Sequence, residues 1–264
     1  MKTIVRRALF AALVVSAMAL SSCAEGPTGI FASVAAETPV NKNMTPAIEY
    51  ASPTFVARLG TTWYSGMGVL WQKADTATQW TKASVSLPGI SSSDTLYADS
   101  GAVSGGSLYV AFSDVTTRTS LGVWAYNGTS WAHIDGFPAA TEYLRSIMAA
   151  NGQLFAVTAN VRADATVIQT YSIYYLSGAS FISAGISNNA TIGIPTSVAS
   201  DGSNYIFTAG DSLLSGTAPN ALSVLSTTPG NLYSGVCAYV SGQVIISSRN
   251  GYLYHYTGTT LTAT

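Results

Sequence analysis

The chain has 264 residues, 48% of them hydrophobic and only 9% charged, with a net charge of −1 at pH 7. Eleven lysines and arginines over this length do not make the clustered cationic surface that phosphate backbones require, which argues against nucleic acid as a partner. Two cysteines and two histidines, none at ligand spacing from another, leave no zinc-type cluster, and no metal or cofactor is expected.

Residues 1–22 read as an export signal. Lys2, Arg6 and Arg7 make a basic start, and Ala8 to Leu20 is an apolar run too short for a comfortable membrane span. The run ends in Leu20-Ser21-Ser22-Cys23, which resembles the lipobox of bacterial lipoproteins: an aliphatic residue, two small residues and the cysteine that becomes the mature N-terminus. The resemblance implies that Cys23 carries diacylglycerol and usually an amide-linked third chain, and more than one acyl chain gives stable anchoring. Ala24 follows where an aspartate would retain the protein in the inner membrane. The resemblance therefore places the protein in a bacterial envelope, on the outer membrane if there is one, facing the periplasm or the surface. Without the signal, eight basic residues stand against twelve acidic ones, a net charge of −4.

Residues 23–46 carry Gly26-Pro27, Pro39, Asn41 and Asn43 among small residues and read as a tether. Its apolar patch, Ile30 to Val34, suits a strand added to a sheet edge. Residues 47–264 are rich in Tyr, Ser, Thr, Gly, Val and Ala. They show no helical-length segment with an i, i+3, i+4, i+7 apolar stripe, which predicts an all-β domain. Cys237, within Val236-Cys237-Ala238-Tyr239-Val240, reads as a small buried hydrophobe.

A repeat runs through this domain. Its hairpin turns fall at Gly60-Thr61, Gly105-Gly106, Asn151-Gly152, Asp201-Gly202 and Ser241-Gly242, since Gly and Asn tolerate the positive φ of tight hairpin turns. Each turn follows a small, weakly apolar strand and precedes a larger one, such as Leu154-Phe155-Ala156-Val157. Third strands are predicted at Val69 to Trp71, Val123 to Tyr126, Ile173 to Tyr175 and Tyr252 to Tyr256, and fourth strands near Trp80, Trp131, Phe181 and Leu261. The unit after Asp201 is the poorest, offering only Leu213-Leu214 and Ala221 to Leu225.

Five four-stranded units, small on the first strand and aromatic on the third and fourth, resemble the blades of a β-propeller. Small side chains fit where first strands crowd the axis, while Trp71, Trp80, Trp124, Trp131 and Tyr174 fill the widening wedges between blades. The Trp-Asp, kelch and Asp-box signatures are not found, so the resemblance is to the architecture. Five blades are expected; a further degenerate blade or a β-sandwich of the same hairpins stays open. Pairing of the two chain ends would close the ring.

Function is sought where the chain returns from rim to axis, because equivalent residues there share one face. Counting back from the turn glycines gives Glu49-Tyr50-Ala51-Ser52, Leu96-Tyr97-Ala98-Asp99, Glu142-Tyr143-Leu144-Arg145, Ile192-Gly193-Ile194-Pro195 and Leu232-Tyr233-Ser234-Gly235. Tyr50, Tyr97, Tyr143 and Tyr233 recur at one position. They suit either packing between blades or an aromatic basin in which Glu49, Asp99, Glu142 and Arg145 orient a ligand. The first functional reading is a monomeric, lipid-anchored binding or scaffold module for an envelope protein or glycan. The second is an exported glycan hydrolase or lyase using the carboxyl pair Asp99 and Glu142. Arg145 is expected to depress a neighbouring carboxyl pKa, contrary to the needs of a general acid. No Gly-x-Ser-x-Gly elbow supports serine catalysis.

Overall fold

A computed structural model describes residues 53–90, 96–117, 119–136, 142–161, 168–187, 193–225, 235–248, 251–258 and 261–263. Cys23, Glu49, Tyr50, Tyr233 and the patch from Ile30 to Val34 lie outside the described residues, as does the side chain of Glu142.

The described regular structure is all strand. The first sheet holds β1 (Phe55–Leu59), β2 (Thr62–Met67), β3 (Val69–Ala74) and β4 (Thr81–Lys82). The second holds β5 (Leu96–Ser104), β6 (Ser107–Asp114), β7 (Ser120–Tyr126) and β8 (Trp131–Ile134). The third holds β9 (Glu142–Ala150), β10 (Gln153–Val161), β11 (Ile168–Ser177) and β12 (Ser180–Ser183). The fourth holds β13 (Pro195–Ser200), β14 (Tyr205–Ala209), β15 (Ser212–Gly216) and β16 (Ser223–Val224), and the fifth β17 (Cys237–Val240), β18 (Gln243–Ser247), β19 (Leu253–Tyr256) and β20 (Leu261–Ala263). Each sheet is an antiparallel meander in chain order. First strands of successive sheets are neighbours, β1 beside β5, β5 beside β9, β9 beside β13 and β13 beside β17. These are five blades of a β-propeller. Each described sheet comes from one contiguous stretch, so the expected pairing of the two chain ends is not found among the described strands.

Turn chemistry sets the registers. Ala150 pairs with Gln153 across Asn151 and Gly152, whose φ values of 47° and 72° are both positive, as a two-residue hairpin demands. In the fourth sheet Ser200 pairs with Tyr205, so four residues span the turn. There Asp201 Oδ1 accepts from the backbone N–H groups of Ser203 and Asn204 at 2.8 and 2.6 Å. Burial alone raises the pKa of Asp201, but these bonds outweigh it and hold the carboxyl below its ordinary value.

The core is four slabs, one between each successive pair of sheets. Tyr64 and Leu70 meet Ala98, Val110, Phe112 and Trp124 at the first junction. Ala102, Val123 and Ile134 meet Ile147, Leu154 and Phe181 at the second. Phe155 and Ile173 meet Phe207 and Leu214 at the third, and Ile206 and Leu213 meet Val244, Ile246, Tyr254 and Tyr256 at the fourth. Of the predicted wedge aromatics, Trp124 and Trp131 are buried. Phe155 and Phe207 make an edge-to-face contact at 4.9 Å across the third junction. Among the described residues no fifth cluster joins the last sheet to the first.

Hydroxyls reinforce the slabs near the axis. Ser100 Oγ accepts the N–H of Ile147 at 2.9 Å, and Ser197 Oγ accepts that of Cys237 at 3.2 Å; each bond ties one first strand to the next. Cys237 is buried, and desolvation raises its thiol pKa.

Candidate functional site

Three successive first strands carry a β-bulge near their start, at the same distance from the turn in β5 and β9 and one residue nearer it in β13. In β5, Ala98 pairs with Phe112 and Ser100 with Ala111, leaving Asp99 as the extra residue. In β9, Leu144 pairs with Thr158 and Ser146 with Val157, leaving Arg145. In β13, Pro195 pairs with Ala209 and Ser197 with Thr208, leaving Thr196. A bulge takes a residue out of the ladder and re-aims its side chain, so this position changes from acid to base to hydroxyl along the series. Counting back from the glycine pointed to Pro195 in the fourth unit; the bulge falls one residue later because Thr196 lies four residues before the last residue of β13, where Asp99 and Arg145 lie five before those of β5 and β9.

Asp99 and Arg145 line one cavity of about 320 Å³ between the second and third sheets. Ser100 and Ala111 form part of its wall, with Ser113 near the end of β6, Ser120 at the start of β7, and Tyr143 and Leu144 of β9. Tyr143 is half-buried and Arg145 exposed. Asp99 retains solvent access, yet enough protein crowds its carboxyl that desolvation raises the pKa, a shift opposed by a hydrogen bond with Ser113. The depression by Arg145 expected from sequence is not what governs this group. Among the described residues no ion pair joins Arg145 to Asp99. The guanidinium acts instead on Tyr171, whose pKa is raised first by burial and then by Tyr143, and lowered by Arg145.

The other candidates are placed differently. Tyr97 is 41% exposed, and its ring lies over Gly68 in the turn between β2 and β3, close enough that a Cβ there would meet the ring at 3.4 Å. Tyr97 therefore packs on the preceding blade and is not part of the cavity wall around Asp99. Glu142 begins β9. His133 lies at the surface, its Nδ1 3.0 Å from Asp135 Oδ1, and His255 Nδ1 is 2.6 Å from Gln243 Oε1. No cluster of three or more potential metal ligands occurs among the described residues. Sequence reasoning missed Ser113, Ser120 and Leu144 as cavity residues. The first two come from the preceding blade's second and third strands, and only the inter-blade contact brings them to β9.

A second cavity of about 240 Å³ lies at the first junction, lined by Val69, Leu70, Lys82, Val85, Leu96 and Phe112 among others. Lys82 is the one charged group among these lining residues.

No family model and no curated protein sequence matches the chain. Similar solved structures do exist. YCF48 bound to D1 peptide superposes with a TM-score of 0.52 at 14% identity, over 80% of this chain and 64% of that one. The WD40 β-propeller domain of Doa1 gives 0.50 at 11% identity, over 80% and 67%. The GH74 enzyme of Niastella koreensis gives 0.50 at 14% identity, over 79% and 38%. The chain thus spans less than two thirds of the YCF48 and GH74 chains. At these identities the likeness is one of fold, and the fold is the β-propeller.

Proposed function

We propose that this chain is a lipid-anchored lipoprotein of the bacterial envelope whose β-propeller binds a protein or glycan partner at the cavity between its second and third blades. The address rests on the basic start, the apolar run and the lipobox-like Leu20-Ser21-Ser22-Cys23. The binding role rests on one observation: Asp99, Tyr143 and Arg145 share the wall of one cavity in which acid and base stand unpaired with each other. Propellers of similar fold include YCF48, solved with a bound peptide, so the architecture accommodates such a role.

Labelled palmitate should enter the wild-type chain in a bacterial host, and Cys23→Ser should abolish labelling and release the protein from membranes. Recovery of wild type as a soluble, unlabelled protein would remove the anchoring half of the reading. For the binding half, crosslinked partners recovered from intact envelopes by wild type should be lost from a Tyr143→Ala, Arg145→Gln variant. Each lost contact is expected to weaken binding by about 1 to 2 kcal/mol.

The catalytic reading keeps one supporting observation, the raised pKa of Asp99, which is the direction a general acid needs. A GH74 enzyme shares the fold. Turnover of envelope polysaccharides by wild type and its loss in Asp99→Asn would establish that reading; absence of turnover would leave binding alone.

A further inference from the structure

The cavity between the second and third blades carries more chemical information than a generic binding surface. Its two charged residues occupy the same bulge position on neighbouring first strands, so their separation is set by the distance between adjacent blades. They line one space without pairing across it. Asp99 is engaged by Ser113, while the field of Arg145 reaches Tyr171 within the third blade. Tyr143, Ala111 and Leu144 line the same space.

We propose that this cavity selects zwitterionic ligands, placing a carboxylate at Arg145, an ammonium at Asp99 and a short apolar stem against Tyr143 and Leu144, as free amino acids and short peptides with unblocked ends would present. The inference rests on the proposed binding role of the same cavity and adds a small ligand to the macromolecular partner proposed there. Arg matches a carboxylate with paired N–H donors, and an ammonium restores the ionised form of a carboxyl that protein crowding disfavours. A neutral sugar could hydrogen-bond Asp99 and Arg145 through its hydroxyls but would neutralise neither charge. A dianion would meet repulsion at Asp99. Selection thus operates by penalty as well as by attraction. A volume of about 320 Å³ suits a ligand of amino-acid to dipeptide size.

Calorimetric titration of the full chain in detergent with alanyl-alanine, N-acetyl-alanyl-alanine, alanyl-alanine amide and glucose tests this. The free dipeptide should bind, and blocking either end should weaken binding by about tenfold or more. Arg145→Gln should remove the penalty for amidation and Asp99→Asn that for acetylation, each leaving the other penalty in place. Equal binding of free and blocked peptides, binding of glucose in their place, or no binding of the dipeptide at millimolar concentration would overturn the assignment. The ligand-side comparison needs only wild type, so it holds even if a variant fails to fold. If the dipeptide fails while partner capture still depends on Tyr143 and Arg145, the zwitterion assignment falls and the binding role stands. If capture is also independent of both residues, both fall.

Discussion

Gly101 sets how closely the first two blades approach. A Cβ built on it, or on Gly66, would collide with the ring of Phe55, which lies against the first inter-blade slab. Gly101→Ala should therefore destabilise the domain by about 1 to 3 kcal/mol through overpacking, read as a lowered midpoint in urea; an unchanged midpoint would mean that the Phe55 ring moves aside freely. Asp99 carries the opposite kind of test. Its folded pKa lies above the ordinary 3.8, so the folded state binds more protons in the window above that value, and stability falls as pH rises through it. Asp99→Asn should match wild type near pH 3 and melt higher at pH 7; a lower melting temperature at pH 7 would show that the carboxylate is favoured in the fold. Asp201 contributes with the reverse sign, its stabilisation present above 3.8 and lost as pH falls. Asp99 and Arg145 were legible because a two-residue hairpin keeps a constant distance from the turn glycine to the bulge. Thr196 was not, because its bulge sits one residue nearer the turn than those of β5 and β9. Tyr97 was recognised as recurrent, but recurrence alone does not separate a ring that packs on Gly68 from one that lines a cavity.

Strands were legible where glycine turns and aromatic bulk coincided, as in β9 to β12, where β9 and β10 meet across Asn151-Gly152. Even the weak fourth unit holds β15 over Leu213-Leu214 and β16 within Ala221 to Leu225. Its outer strands read poorly because β16 is two residues long and exposed, and it needs little bulk. The bulges and the serine ties were hidden, since both depend on pairing between strands that sequence pattern does not report. The third sheet has slabs on both sides, and Leu154, Phe155, Ala156 and Val157 of β10 are fully buried. Native-state hydrogen exchange should accordingly be slowest in β10 and fastest in β17, β20 and β1, whose sheets have a slab on one side only among the described residues. Uniform protection across all five sheets would show that the two end faces are covered as well.

At the scale of the molecule, four inter-blade slabs turn five individually marginal sheets into one domain. The outward faces of the end sheets stay apolar at several positions, with Val56 55% exposed in the first and Val240 and Leu253 48% and 49% exposed in the fifth. The proposed binding site lies elsewhere, at the second junction, where bulges on adjacent first strands place Asp99 and Arg145 in one cavity. A photoactivatable residue in place of Ser120, on the cavity wall, should crosslink to the partner in intact envelopes. The same residue in place of Asn127, in the exposed turn between β7 and β8, should not. Adducts from position 120 that disappear when Arg145 is changed to Gln are the predicted result; adducts of equal strength from position 127, or from position 120 regardless of Arg145, would contradict the assignment of this cavity as the binding site.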